Sequence, residues 1–494
     1  MNITALFFSK SLRRIEAAHG TEGLMGYAGA AAAEFARQLL ERNAPVLVLV
    51  GPGNNGGDAL VMARHLRERR VEVCVIMIAN PATLPEEAAQ AYRDFTAAGG
   101  VTHATIPLDC AWGLIVDGLF GIGLARALEH GYAKLVEAAN ALADEYRCPV
   151  LALDVPSGLN ADTGLAARPT IHASHTLTFL RAKPGLFTAD GPDYCGEIQI
   201  CDLGLTDGET GAPDGNLVSR KSFARCLVPR RRNSHKGNYG TVGIIGGARS
   251  MMGAVILAGR AAIKLGAGRV LLSFLDDRAP QVEFEQPELI LRNPETMFEA
   301  GLNALVCGPG LGRSLQAAEL LERTLATPVP LVLDADALNI LAFEEGMQTR
   351  VAMHPAPVIL TPHPAEAGRL LDLQTENIQQ NRVQIALELA QRFQAWVTLK
   401  GCGSVIATPE GDWWINPTGN PGLSSAGSGD VLTGIVAALV GQGWPPTEAL
   451  LAACHLHGQA ADDLAAAGIG PVGLCAGELA DAARSRFNRW LAGN

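Results

Sequence analysis

The chain of 494 residues is long enough for two or three domains. Hydrophobic residues make up 48% of it and charged residues only 18%, which excludes global disorder. The formal net charge of −11 argues against a general nucleic-acid binder. The 10 cysteines include no C-x-x-C pair, which excludes a zinc ribbon and is typical of reduced thiols. Because the first residues lack the pattern of a signal peptide and no apolar run is long enough for a membrane span, we expect a cytoplasmic protein without a membrane partner.

The first half of the chain alternates helical and strand-like segments. Residues 23–42 show the periodicity of a helix, and the continuous apolar run at 46–50 predicts a strand buried on both faces. Further strands are predicted at 71–79, 114–118 and 150–154. This alternation is typical of an α/β domain built on a parallel, doubly wound sheet.

Glycine-rich polar segments follow three of these strands. Residues 51–58 read GPGNNGGD, residues 119–126 read LFGIGLAR, and residues 155–164 read VPSGLNADTG. Because ligands bind at the carboxyl edge of a parallel sheet, we predict a binding site there. A plain glycine-rich turn is the alternative for the first segment. A cap on the turn that follows the strand is the alternative for Asp154.

Three side chains at this predicted edge could bind a cation. Asn55, Asp117 and Ser157 offer oxygen ligands and no thiolate or imidazole. Such a set suits a hard monovalent or divalent cation better than zinc.

A polar segment rich in Gly and Asp, residues 204–221, predicts the boundary between two domains, which we place at 1–215 and 216–494. The basic run at 229–240 follows this boundary. It is either a solvated linker or, through Lys236, a contact with a phosphate.

The second half repeats the pattern of a strand followed by a glycine-rich or acidic turn. The repeats lie at 242–247, 304–312, 331–339, 358–366 and 396–404. They predict a second doubly wound α/β domain.

Two side chains in these turns point to a ligand. His363 lies between two prolines, so we expect a rigidly held ligand contact. Lys400 lies beside glycines and could reach a phosphate, although the apolar segment at 405–407 also allows an ordinary hairpin. Cys454, His455 and His457 lack a second ligand pair at a usable spacing, so we interpret them as structural.

Residues 419–439 join a loop rich in Gly, Ser and Pro to a long apolar segment that predicts a buried helix. Unpaired amides at a helix N-terminus favour an anion, and Gly427 and Gly429 let the backbone approach a phosphate closely. Asp430 is then either the N-cap of the helix or a base that takes a proton from a hydroxyl group reacting at the phosphate.

Longer strings resemble known enzymes in both halves. GPGNNGGDA, VDGLFGIGL and LDVPSGLNADTG together resemble the NAD(P)H-hydrate epimerase domain over about residues 10–215. The string NPTGNPGLSSAGSGDVLTGIVAAL resembles the NAD(P)H-hydrate dehydratases, a branch of the ribokinase-like enzymes. The resemblance implies a Rossmann-like three-layer sandwich in the N-terminal half and a ribokinase-like doubly wound sheet in the C-terminal half.

The resemblance also implies residue roles. In the epimerase half it implies a potassium site at Asn55, Asp117 and Ser157, with Asp154 facing the reacting hydrate. Contacts with the hydrated cofactor would come from Asn54, Asn55, Gly56, Gly57, Asp58, Gly121, Ile122, Gly123, Leu124, Ala125, Arg126 and Ala127. In the dehydratase half, the hydrate would meet Ala254, Gly310, His363 and the catalytic Asp430. The adenine nucleotide would meet Lys400, Gly401, Cys402, Gly403, Ser404 and Gly429.

The implied activity is repair of NADH and NADPH hydrated at C6. One half would interconvert the R and S hydrates. The other would dehydrate the S hydrate with Mg²⁺ and a nucleotide, converting ADP to AMP and phosphate, with ATP as the other possible donor. The resemblance further implies a homo-oligomer, a tetramer or larger. The alternative function is a small-molecule kinase of the ribokinase superfamily fused to a non-catalytic nucleotide-binding domain.

Overall fold

The computed structural model describes residues 5–19, 23–40, 44–107, 110–123, 127–128 and 130–493. The chain divides into two compact units, Met1–Asn216 and Leu217–Asn494. Each unit is an α/β structure with its own sheet and core, so the two-domain α/β fold class predicted from the alternating pattern is confirmed.

The first unit begins with a short strand and continues with alternating helices and strands. The strands are β1 (Ala5–Leu6), β2 (Val46–Val50), β3 (Val73–Met77), β4 (Thr102–His103), β5 (Leu114–Gly118), β6 (Val150–Leu153), β7 (His175–Phe179) and β8 (Glu197–Cys201). The boundary between the units falls within the next strand, β9 (Gly215–Leu217). The helices are α1 (Ser9–His19), α2 (Leu24–Leu39), α3 (Asn54–Glu68), α4 (Glu86–Ala97), α5 (His130–Tyr146), α6 (Gly191–Cys195) and α7 (Asp207–Thr210).

A seven-stranded parallel sheet in the order β4-β3-β2-β5-β6-β7-β8 forms the middle layer of this unit. The side chains of β2 alternate between two cores, as the twofold period of a strand requires. Val46, Val48 and Val50 pack with the helices α1 to α4, whereas Leu47 and Leu49 pack with α5 on the opposite face. The unit is therefore the three-layer sandwich that we predicted.

The second unit contains the remaining elements. Its strands are β10 (Thr241–Gly246), β11 (Arg269–Phe274), β12 (Ile290–Leu291), β13 (Ala304–Cys307), β14 (Leu331–Leu333), β15 (Val358–Leu360), β16 (Trp396–Leu399), β17 (Val405–Ala407) and β18 (Trp413–Ile415). Its helices are α8 (Met252–Lys264), α9 (Pro294–Met297), α10 (Leu315–Leu325), α11 (Asp336–Leu341), α12 (Glu345–Ala352), α13 (Pro364–Leu371), α14 (Thr375–Gln380), α15 (Arg382–Phe393), α16 (Ser428–Gly441), α17 (Pro446–Ala466) and α18 (Ala476–Leu491).

The strands of this unit run in the order β18-β17-β16-β15-β14-β13-β10-β11-β12. They are parallel from β12 to β16, and β17 and β18 add an antiparallel hairpin at one end. One face of the sheet packs against α8, α16, α17 and α18 in a single large core. Every residue of α16 from Val431 to Gly441 is buried, which explains why this helix has no polar stripe.

Several predicted boundaries differ from the observed ones. The strand predicted at 71–79 is only Val73–Met77, and the strand predicted at 150–154 ends at Leu153 because Asp154 adopts a positive φ of 67°. Residues 275–298 contain the short β12 and the single-turn α9. Among the described residues, none of the helices combines the length and apolarity required to cross a membrane.

Candidate active sites

A pocket of about 440 Å³ lies at the carboxyl edge of the first sheet. Its walls bring together seven of the fifteen residues predicted for this half, namely Asn54, Asn55, Asp58, Gly121, Ile122, Gly123 and Asp154. Gly56 and Gly57 of α3 do not line the pocket. A Cβ on Gly56 would lie 2.2 Å from the Gly51 carbonyl oxygen, and a Cβ on Gly57 would lie 2.5 Å from Met25. Ala127 is described but does not line the pocket, and Leu124, Ala125 and Arg126 lie outside the described residues.

Asp154 and Lys183 form a buried ion pair on one wall of this pocket. Lys183 also donates hydrogen bonds to Thr178 Oγ1 at 2.8 Å and to the Phe179 carbonyl oxygen at 2.7 Å. The second carboxylate oxygen of Asp154 accepts a bond from the Ile122 amide at 3.2 Å. None of these contacts belongs to the turn at 156–158, so Asp154 does not cap that turn. Lys183 was not predicted from the sequence; it lies in the loop that follows β7.

The turn after β6 is held by Asp117 at the end of β5. Asp117 accepts bonds from the Ser157 amide and hydroxyl, both at 2.7 Å, and burial raises the pKa of Asp117 to about 6. Asn55 lies near the same strand end, since a Cβ on Gly118 would lie 3.3 Å from the Asn55 carbonyl oxygen. The Asn55 side chain is buried, and both of its amide atoms lack a hydrogen-bond partner within the described part of the chain.

Three further carboxylates, of Glu16, Asp58 and Glu87, line the pocket. Burial, followed by the charge of Asp154, raises the pKa of Asp58 well above its ordinary value. The same two causes raise the pKa of Glu16. A site of this kind can hold a protonated acid beside an ionised one, which is the arrangement that proton transfer in both directions requires.

In the second unit, the N-terminus of α16 carries the predicted anion-binding loop. Its N-cap is Gly427 with a φ of 89°, and no side chain caps the helix. Asp430 lies within the first turn, so the interpretation of Asp430 as an N-cap does not describe this helix. The pKa of Asp430 is raised to about 7, mainly by burial and secondly by the charge of Asp334. A carboxylate with this pKa can accept a proton near neutral pH.

Asp334, at the end of β14, connects α16 to the turn after β16. It accepts hydrogen bonds from Lys400 Nζ at 2.9 Å and from Thr433 Oγ1 at 2.7 Å. Burial opposes the ionisation of Asp334, but Lys400 and Thr433 outweigh it and hold the pKa of Asp334 below its ordinary value. Lys400 Nζ also lies 4.0 Å from the Glu366 carboxylate, and a Cβ on Gly429 would lie 3.4 Å from Lys400 Nζ. The ammonium group of Lys400 is therefore close to the α16 amides.

The other predicted residues of this half lie around the same edge. A Cβ on Gly310 would lie 3.3 Å from that of Ala254, so the starts of the turn after β13 and of α8 are in contact. His363 caps α13, because its Nδ1 accepts bonds from the amides of Ala365 and Glu366. His363 Nε2 lies 3.1 Å from Glu366.

The turn Lys400, Gly401, Cys402, Gly403 and Ser404 joins β16 to β17. The two strands form an antiparallel hairpin, and Lys400 at the start of its turn reaches Asp334. A hairpin and a lysine available for a phosphate, given as alternatives from the sequence, are therefore compatible. Lys236 lies at the opposite edge of the sheet, before the start of β10. Asp334 and Glu366 line the Lys400 site but were not among the predicted site residues. The acidic strand end at 331–339 was the available signal for Asp334.

Two family models match the two units separately. A model described as NAD(P)H-hydrate dehydratase matches residues 242–482, and one described as YjeF-related protein N-terminus matches residues 21–185. The chain is 37% identical to the bifunctional NAD(P)H-hydrate repair enzyme of Escherichia coli (strain K12), over 92% of this chain and 87% of that protein. A relative of the same name from Coxiella burnetii is 36% identical over 97% of this chain and 98% of its own length.

The chain belongs to the family of bifunctional NAD(P)H-hydrate repair enzymes. The second unit of this chain also resembles a solved structure. The crystal structure of ADP/ATP-dependent NAD(P)H-hydrate dehydratase from Bacillus subtilis, co-crystallised with ATP and Mg²⁺, is 31% identical with a TM-score of 0.50. It covers 56% of this chain and 98% of its own, which confirms the ribokinase-like fold predicted for the second half.

Membership of this family does not favour the alternative of a small-molecule kinase fused to a non-catalytic domain, because relatives that carry the bifunctional name match across both halves. The resemblance stated from the sequence, and the enzyme class that it implied, are thereby confirmed.

Proposed function

We propose that the chain repairs hydrated NADH and NADPH by epimerising the R and S hydrates in the first unit and dehydrating the S hydrate in the second. The observation that carries the proposal is the position of Asp430. Its carboxylate has a pKa of about 7 and lies in the first turn of a helix whose N-terminal amides are not capped by a side chain. The helix N-terminus, which can bind an anion, and the Asp430 carboxylate, which can act as a base, thus lie side by side.

Dehydration requires a better leaving group than hydroxide. We propose that the C6 hydroxyl oxygen attacks the terminal phosphorus of ADP, and that Asp430 takes the hydroxyl proton as the bond to the leaving AMP breaks. The amides around Gly427 to Gly429 and the Lys400 ammonium stabilise the charge of the transferred group. Loss of the C5 proton and of phosphate from C6 then restores the double bond of NAD(P)H. The hydrate contacts proposed for this step come from Ala254, Gly310 and His363.

The nucleotide is proposed to lie along the turn from Lys400 to Ser404 and at Gly429, and ADP is the proposed donor, with ATP as the other candidate. Magnesium would accompany it. Within the described part of the chain, no group of three or more His, Cys, Asp or Glu side chains could hold a metal. A magnesium ion would take phosphate oxygens and water as most of its ligands and would neutralise phosphate charge.

For epimerisation, we propose that the hydrate lies against Asp154 and Lys183, with Asn54, Asp58 and the segment from Gly121 to Ala127 as cofactor contacts. A potassium ion fits the oxygens of Asn55, Asp117 and Ser157, because the buried Asn55 amide has no described partner and the Asp117 carboxylate supplies negative charge. Its role would be to bind a phosphate of the hydrate. Replacing potassium by lithium should slow epimerisation alone, and equal rates in both salts would contradict the site.

The test of the proposal is incubation of the full chain with a mixture of the two hydrate epimers and either ADP or ATP. We expect complete conversion to NADH, followed by its absorbance, with the faster reaction identifying the donor. Formation of a stable phosphorylated product without NADH would contradict dehydration. Conversion that stops at the S fraction would contradict epimerisation.

Assembly and location follow the same family resemblance. We propose a homo-oligomer, a tetramer or larger, in the cytoplasm. Light scattering after size-exclusion chromatography would test the oligomeric state, and the mass of a monomer would contradict the proposed homo-oligomer. Cell fractionation would test the cytoplasmic location.

A further inference from the structure

Arg382, the first residue of α15, lies buried beneath the turn that joins β16 to β17. Its Nη2 donates hydrogen bonds to the carbonyl oxygens of Leu399 at 3.2 Å, of Lys400 at 3.4 Å and of Gly403 at 3.4 Å. Its Nη1 is held by Gln379 Oε1 at 2.7 Å. One guanidinium group thus contacts both ends of the turn.

These contacts set the direction of the peptide groups in the turn. In a trans peptide the C=O and the following N–H point in opposite directions. Because the carbonyls of Lys400 and Gly403 point inward to Arg382, the N–H groups of Gly401 and Ser404 point to the opposite side. Backbone N–H groups that point to one side form an anion-binding concavity.

The site is built for a guanidinium group. A Cβ on Gly401 would lie 2.7 Å from Arg382 Nη1, so the glycine is what lets the turn approach the arginine. Burial lowers the pKa of Arg382 to about 10, which still leaves it charged at neutral pH. A lysine ammonium has a single nitrogen and could not contact Gln379 and three carbonyls in the same geometry.

We propose that Arg382 is a positioning residue that holds the turn from Lys400 to Ser404 in the conformation that binds the phosphates of the adenine nucleotide. The inference rests on the proposed function, because it takes the turn as the nucleotide site. Arg382 acts from behind the turn, through the peptide groups, and does not touch the nucleotide.

The test compares Arg382→Lys and Arg382→Gln with the unaltered full-length protein. The KM for ADP, measured with saturating S hydrate and Mg²⁺, should rise about 10- to 100-fold, as expected for a misplaced binding group. The KM for the S hydrate and the rate of epimerisation should stay within about twofold. Arg392→Gln is the matched control, because Arg392 is an exposed arginine on the same helix that contacts Gln348.

A parallel rise of both KM values, together with a lower melting temperature, would show a merely structural role and overturn the proposal. An unchanged KM for ADP would also overturn it. If the Arg382 variants do not fold, Gln379→Ala decides, with an expected rise of about fivefold in the KM for ADP alone; no rise overturns the proposal. Absence of nucleotide-dependent dehydration in the unaltered protein would instead refute the proposed function.

Discussion

Asp430 shows how the surroundings of one side chain decide its chemistry. Four charged groups from three segments face it, namely Asp334, Lys400, Asp336 and Glu366. Burial and the three carboxylates raise its pKa, and Lys400 opposes them. An aspartate at a helix start is usually ionised well below neutral pH, so this arrangement favours a proton acceptor over a cap.

Replacing the carboxylate tests this role. We expect Asp430→Asn to lower the rate of dehydration by about 10²- to 10⁴-fold, because an amide cannot accept the hydroxyl proton. Epimerisation, measured on the same sample, should be unchanged. Asp412→Asn is the control, since Asp412 is an exposed aspartate in the turn before β18. Equal loss of both activities in the Asp430 variant would contradict separate sites.

The pH dependence of dehydration follows from the same pKa. A general base works only when it is deprotonated, so kcat/KM for dehydration should fall about tenfold per pH unit below a pH of about 7 and level off above it. The measurement is initial rate between pH 5 and 9 at low hydrate concentration. A profile that stays flat down to pH 5 would show that Asp430 has an ordinary pKa or is not the base.

At the scale of elements, the position of Asp430 depends on how closely α16 packs on α8. A Cβ on Gly434 would lie 2.1 Å from the Ala258 carbonyl oxygen and 2.9 Å from the Ala261 Cβ. A glycine here lets the two helices touch through their backbones. Leu257 of α8 also lies under Gly427, so the same contact supports the loop that precedes the first turn of α16.

We expect Gly434→Ala to destabilise the second unit by about 1–3 kcal/mol, because the added methyl group overlaps the α8 backbone. The measurement is calorimetric unfolding of the full chain, in which the transition of this unit should move down by several degrees. Gly346→Ala is the matched control. A Cβ there meets nothing within 4 Å on the exposed α12, so it should be neutral or slightly stabilising. An equal effect of both substitutions would contradict the packing argument.

At the scale of the whole molecule, each unit carries its candidate site at the carboxyl edge of its own parallel sheet. The first site lies at the ends of β5 and β6, and the second lies at the ends of β14 and β16 and the start of α16. The residues proposed for one reaction are therefore all contributed by one unit. A variant of one site should leave the other intact.

This separation predicts how a mixture of hydrate epimers is consumed. With Asp154→Asn in the full chain, conversion to NADH should stop when the S hydrate is used up, because the R hydrate can no longer be epimerised. Adding the Asp430→Asn variant, which retains the first site, should restore complete conversion. NADH absorbance at the end point measures the extent of conversion by the Asp154 variant alone and by the mixture of the two variants. Complete conversion by the Asp154 variant alone would show that Asp154 is not needed for epimerisation.

The amino-acid pattern alone predicted the α/β fold class and the glycine-rich turns that follow the strands. The strands at 46–50 and 114–118 are buried on both faces, and glycine-rich segments follow the ends of both strands, so the apolar pattern and the chain order sufficed for these predictions. The buried helix after Gly427 was likewise readable from its unbroken apolar run.

The pairs of side chains that meet at each candidate site became visible only in the folded chain. Lys183 reaches Asp154 from 29 residues away, Lys400 reaches Asp334 from 66 residues away, and Thr433 reaches the same aspartate from 99 residues away. Local sequence cannot specify such pairs, because they depend on the order of strands in the sheet. The pKa of Asp430 is decided in the same way, since burial and distant carboxylates set it.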